Sequence, residues 1–324
     1  MSDRSDSEQG WQVRPNQDEL DFDLARASAS MVTLRCHVPE DALTAQSLGT
    51  ERAGNGVVIE DSGLILTIGY LVTEAETVWI TDHRGHVTPG TVAGYDQRTG
   101  FGLVQALGRL DLPALALGES SQLEPADRVL MLGGGEDQAI NALITARREF
   151  AGYWEYLLDD ALFTAPAHPN WGGTAAIGSN GELLGIGSLQ LEQTRDGGQS
   201  QHLNMIVPID LLKPILEDLL TIGRANRPPR PWLGLYATEV EGKVVLVGMA
   251  DDGPAQKANL KTGDLVISVG GTEVSELAGF FRAIWAQGEA GVDVPLMIYR
   301  DGRTFEVRVA SSDRAKHLKR PSMH

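Results

Sequence analysis

The side chains that could do chemistry in this chain are few and far apart. Cys36, the single cysteine, is followed at once by His37 in MVTLRCHV. A thiol and an imidazole must meet to act together, and successive strand side chains face opposite ways, so the pair reads as a buried strand cysteine beside an outward histidine. His83 and His86 stand at H-x-x-H with Asp82 alongside, but DHRGH reads as an exposed hairpin turn without a third ligand. His168 and His202 are isolated. Gly133 to Gly135 lack the third glycine and the strand-to-helix setting of a nucleotide loop, and read as a turn. All six lysines lie at Lys213 or later, so the preceding body has no lysine for a serine–lysine dyad. No metal and no cofactor is expected.

The elements that must position these groups are short. Runs such as MVTLRCHV, GVVIEDSGLILTI, TVWITD and RVLML recur from Met31 onward with turns between them, including Asp61-Ser62-Gly63 and Arg84-Gly85. Helical periodicity is poor until Ile209 to Ile222. Many short strands over such a length suggest a sandwich or a pair of barrels, giving a mainly β protein. RANRPPRP at 224–231 resists helix and sheet and reads as a semi-rigid linker. A second unit follows, with strands near Val244 to Met249 and Leu265 to Val269, a helix over Ser275 to Gln287 capped by Ser275 and stopped at Gly288, and a hairpin turning at Asp301-Gly302. Residues 1–25 read as a mobile acidic arm and 313–324 as a disordered basic tail.

The 324 residues carry a net charge of −17, which argues against nucleic acid or an anionic membrane as partner. The acidity is uneven: −18 through Asn226 and +1 thereafter. One cysteine excludes a disulfide framework and a multi-cysteine zinc site. The polar N-terminus lacks the pattern of a secretory leader, and LILTIGYLV is too short to span a bilayer, so a cytoplasmic location is expected.

Three segments, read together, carry a resemblance: GNGVVIEDSGLILTIGYLV at 54–72, the run from Asp96 to Gly133 containing LPALALGES, and FTAPAHPNWGGTAAIGSNGELLGIGSLQ at 163–190. They resemble the HtrA branch of trypsin-like serine proteases, and WLGL, GPAQKANLKTGDLVISVGGTEV and DGRTFEVRV resemble the PDZ domain that follows the protease there. The resemblance implies two six-stranded antiparallel barrels with a cleft between them over 26–223, the linker at 224–231, and a small α+β PDZ domain over 232–312. It also implies that Trp232, Leu233, Gly234 and Leu235 form the carboxylate-binding segment, whose backbone N–H groups would receive a peptide C-terminus while the peptide adds to the sheet edge. The helix from Ser275 would form the other wall, with Phe281 and Trp285 on one face.

The family's catalytic positions read differently here. Tyr70 stands at the histidine, Gly100 at the aspartate and, with Gly172 and Gly173 kept in register, Trp171 at the serine, one residue being lost from that loop. A phenol of pKa about 10, a glycine and an indole cannot perform the inherited roles of base, orienting acid and nucleophile. The expectation is therefore a pseudoprotease, not an enzyme, acting as a peptide- or protein-binding adaptor; the alternative is an active serine-type endopeptidase of HtrA-like protein quality control using unrecognised groups. Tyr153, Trp154 and Tyr156 fall where the family carries a sensor loop, and either reshape the old cleft as a binding surface or merely fill it. Partners are expected to be protein or peptide C-termini. A homotrimer through the N-terminal end is implied by the resemblance alone, with Phe22 the one aromatic residue to carry it.

Overall fold

The computed structural model describes residues 14–134, 138–194, 198 and 200–319. Strands β1 (Met31–His37), β2 (Glu51–Glu60), β3 (Leu64–Ile68), β4 (Thr77–Thr81), β5 (Val87–Tyr95) and β6 (Phe101–Ala106) close into a barrel in the order β1-β2-β3-β6-β5-β4. A second barrel, β10-β11-β12-β9-β8-β7, is made by β7 (Arg128–Leu132), β8 (Ala139–Gly152), β9 (Tyr156–Ala165), β10 (Ala175–Ile177), β11 (Leu183–Thr194) and β12 (Ser200–Pro208). Alternation sets the inner faces: in β1, Val32, Leu34 and Cys36 are buried while Arg35 and His37 are exposed. Closure leaves neither sheet an open edge.

The third sheet runs β13 (Leu235–Val240), β14 (Lys243–Met249), β15 (Leu265–Val269), β17 (Asp293–Arg300) and β18 (Arg303–Ala310), with β16 (Thr272–Glu273) paired to β15. Asp301 and Gly302 both have positive φ (50° and 78°), as the expected two-residue hairpin turn requires. Its core holds Leu233, Leu246, Phe280, Phe281, Ile284 and Leu296, and Leu157 from the second barrel is buried in the same cluster.

Helices are short: α1 (Leu24–Ala29), α2 (Ala45–Leu48), α3 (Gly69–Val72), α4 (Leu216–Ile222), α5 (Pro254–Lys257) and α6 (Leu277–Trp285). Two expectations are corrected here. The helix expected over Ile209 to Ile222 is a 3-10 turn at Ile209–Leu211 and then α4, with Pro214, which has no N–H to donate, in the gap. Ser275 does not cap α6; the extended Glu276 holds that place.

The termini are better held than their composition suggested. Asn16 caps a 3-10 turn at Gln17–Glu19, Asp23 accepts from the Arg26 N–H to cap α1, and the Phe22 ring packs on Gly181. The rest of the expected arm, residues 1–13, lies outside the described residues. At the other end Asp313 caps Arg314–Lys316, Arg314 donates to Tyr95 Oη (2.9 Å), and the Lys319 N–H donates to Glu74 (2.8 Å). Those bonds order 313–319, where a disordered tail was expected; residues 320–324 lie outside the described set. The Pro/Arg segment is docked too. Arg227 Nη2 donates to both Asp96 oxygens (2.7 and 2.6 Å), and Arg230 lies over the Trp285 ring at 4.1 Å.

Candidate functional site

The inter-barrel cleft is built by β3 running into α3, the turn before β6, and the loop from His168 to Thr174. Tyr70 sits on α3, and its hydroxyl donates to the Ser188 carbonyl at 2.8 Å. Burial pushes the Tyr70 phenol well above its ordinary range, a hydrogen bond with Trp171 only partly opposing this. The hydroxyl lies so close to Gly172 that a Cβ there would stand 2.7 Å from it. Gly100 has φ +85°, and a Cβ on it would meet Tyr156 Oη at 2.9 Å. Tyr156, whose hydroxyl donates to the Thr99 carbonyl (2.8 Å), therefore fills the space a side chain at position 100 would need.

The Trp171 carbonyl accepts from the Thr174 hydroxyl at 3.0 Å. Next to it, the Gly173 N–H donates to Gly187 O (2.8 Å), and Asn55 N–H donates to Gly172 O (2.8 Å). Asn55 Nδ2 adds bonds to the Asn170 and Gly172 carbonyls at 2.7 and 3.0 Å. The loop is thus fixed by backbone pairing, and the Gly173 N–H is already engaged. Gly173 itself has φ +79°, and a Cβ would lie 1.9 Å from Asn55 O, so only glycine fits.

A cavity of about 380 Å³ remains in front of these groups, walled by Tyr70, Trp171, Leu189, Trp154, Tyr156 and Tyr236. Trp154 stacks on Tyr156 (5.6 Å between centroids, 13° between planes), and Tyr153 packs edge-on to Trp154 at 4.9 Å. The aromatics therefore combine the two roles: Tyr153, Trp154 and Tyr156 all wall the cavity, and the buried Tyr156 also fills the space beside Gly100. The lining also includes Thr44, Ser47, Thr73, Ser188 and Asp96.

The remaining polar candidates stay apart from this cavity. Cys36 is buried, and burial pushes its thiol up to about 12; His37 turns outward to Glu51. His86 Nδ1 meets Asp82 Oδ2 at 3.2 Å in the expected turn, where Asp82 also accepts from the Arg84 and His86 N–H groups. No group of three or more potential metal ligands occurs among the described residues. His168 is held by its Nε2 to Gln138 O (3.0 Å) and accepts at Nδ1 from the Asn170 N–H, and burial lowers its pKa. Gly133 and Gly134 form a turn bonded to Gln138 and Asn55; Gly135 lies outside the described residues.

The second site is the segment Trp232 to Leu235, entering β13. Gly234 has φ +70°, which turns three successive N–H groups, those of Leu233, Gly234 and Leu235, toward one point. They close on the carboxylate of Glu155, at 3.2, 2.7 and 3.1 Å. The expected wall across the groove is α6, but Phe281 is in the core and Trp285 stacks on it (5.9 Å) under Arg230. Sequence reasoning missed Glu155. Its available signal was an acid set among aromatics in YWEY, since a carboxylate there must find donors or stay in water.

With the geometry in place, likeness to known proteins becomes informative. A trypsin-like peptidase domain family matches residues 54–186, and a PDZ domain family matches 231–310. Among curated relatives, a "Probable periplasmic serine endoprotease DegP-like" of Pseudomonas fluorescens is 28% identical over 82% of this chain and 56% of its own length. The "Serine endoprotease DegS" of Salmonella typhimurium is 27% identical over 79% of this chain and 76% of its own. This chain thus carries a trypsin-like peptidase domain followed by a PDZ domain, and over most of its length it is similar to serine endoproteases of the DegP and DegS type. A serine endoprotease from Yersinia pestis (TM-score 0.53, 21% identity, 93% of this chain and 99% of that one) and the HtrA-type protease AlgW with a tripeptide (TM-score 0.51, 19% identity, 92% and 97%) share the fold. The chain thus spans little more than half the length of the DegP-like HtrA relative.

These HtrA relatives correct one expectation outright. They are named serine endoproteases, so the reading of the chain as a non-enzyme is overturned by the proteins it is related to. The physical reason is that Tyr70, Gly100 and Trp171 speak only to one placement of nucleophile, base and orienting acid, and acyl-transfer chemistry is achieved elsewhere with other groups in other positions.

Proposed function

We propose that the protein engages extended polypeptide chains within the HtrA serine endoprotease family, holding a C-terminal carboxylate on the Leu233, Gly234 and Leu235 N–H groups and an apolar segment in the aromatic cavity. The observation that carries this is the three-donor cradle, whose geometry suits a carboxylate because it already closes on one. The cavity walls of Trp154, Trp171, Leu189 and Tyr236 suit apolar side chains. Binding of a labelled decapeptide with a free C-terminal carboxylate, compared with its amide, tests the reading. The free acid is expected to bind at least tenfold more tightly; equal binding would exclude the cradle as the recognition site.

A second reading is favoured by the relatives' names: serine-type endopeptidase activity of HtrA-like protein quality control, carried by groups other than the three aligned side chains. Ser47 and Ser188, which line the cavity, are the residues to watch. Cleavage of casein together with fluorophosphonate labelling mapped to a cavity serine supports that reading; cleavage unaffected by substitution of both serines excludes them.

A further inference from the structure

The Glu155 carboxylate reaches the cradle from the turn between β8 and β9. That turn is a three-residue loop, Tyr153-Trp154-Glu155, with Glu155 at φ +59°. The loop does more than deliver a side chain. The Ala237 N–H of β13 donates to the Tyr153 carbonyl at 2.9 Å, so the loop's backbone pairs with the same strand edge that receives an added peptide strand. Leu157 is buried with the PDZ core, and Ala151 packs against it. Arg282 on α6 pairs with both Glu149 of β8 and Asp159 of β9, clamping the hairpin from the opposite wall. Carboxylate on the cradle, backbone on the strand, side chain in the apolar groove and ion pairs to the helix together make the hairpin fill the groove as a ligand would.

We propose that the β8–β9 hairpin is an intramolecular ligand of the PDZ groove, with Glu155 standing in for a peptide's terminal carboxylate, so that an incoming C-terminus must displace it. The inference rests on the carboxylate reading of the cradle given above and adds its regulation. Three N–H groups cannot serve two carboxylates at once, so the exchange is competitive. The hairpin's closed population lowers the apparent affinity for peptide in proportion to the open fraction.

The test uses the full chain at pH 8 and a fluorescein-labelled decapeptide ending in valine, as free acid and as amide. Glu155→Ala is expected to bind the free acid at least tenfold more tightly than wild type, and Arg282→Ala, which loosens the clamp without touching the cradle, a few-fold more tightly. Hydrogen exchange on the wild-type protein supplies a readout that needs no variant: saturating free-acid peptide is expected to raise exchange across 150–157. If wild type and Glu155→Ala bind the free acid equally, both preferring it to the amide, and exchange at 150–157 is unchanged, the internal ligand is overturned while the cradle stands. Loss of all discrimination between acid and amide in Glu155→Ala would overturn the cradle reading and the proposal with it.

Discussion

The two sites of this molecule recognise by different means, and the difference decides what a substitution can change. In the cleft, chemistry would have to come from side chains, and the side chains present are packed against each other: Tyr70 on Ser188 and Gly172, Tyr156 over Gly100. In the PDZ groove the donors are backbone N–H groups, whose aim depends on the turn at Gly234 and not on which side chains flank it. A backbone site survives extensive change of sequence; a side-chain site does not. The hairpin tip joins the two, since Glu155 serves the backbone site while its neighbours Trp154 and Tyr156 wall the side-chain site.

The contrast can be broken most forcefully at Gly173. With φ +79° and a would-be Cβ 1.9 Å from Asn55 O, Gly173→Ala must distort the loop carrying Trp171. A loss of roughly 3 kcal/mol or more in denaturant unfolding is expected, with acid-over-amide peptide discrimination retained.

Protonation of Glu155 is the next lever. Burial raises its carboxyl from 4.5 to about 7, the three N–H groups and Arg314 opposing this only in part. The folded state therefore binds a proton that the unfolded chain releases, so this group's contribution to stability falls as pH rises from about 4.5 to 7 and is level above that window. The change is on the order of 3 kcal/mol, and Glu155→Gln is expected to flatten it in unfolding curves taken across that range.

Smaller effects sharpen the cleft side. Gly100→Asp puts an acid at the aligned position but must meet Tyr156 Oη and adopt positive φ; about 1–3 kcal/mol of destabilisation is expected by thermal unfolding. Tyr70→Phe removes the hydrogen bonds to Ser188 O and to Trp171 and should cost about 1–2 kcal/mol in thermal unfolding.

Much of the scaffold was legible because strands declare themselves locally. The alternation in MVTLRCHV, the Asp301-Gly302 turn and the resemblance across the barrels all concern neighbours in sequence or order of motifs. Helix ends were less legible: Pro214 broke a pattern that looked continuous, and Glu276 displaced Ser275 as cap. The docked termini were not legible at all, since Arg314 on Tyr95 and Lys319 on Glu74 are distant pairings that polar composition conceals. At the PDZ site the cradle residues were visible in WLGL, whereas their partner lies 78 to 80 residues earlier in the chain. No local pattern joins an acid in one domain to the backbone of another.

The most direct test of polypeptide engagement is the affinity ratio between the free-acid and amide forms of one decapeptide, measured on the Glu155→Ala full chain, where the cradle's own carboxylate has been removed. A ratio of tenfold or more is expected if the Leu233, Gly234 and Leu235 N–H groups bind a terminal carboxylate. A ratio near one would contradict the account.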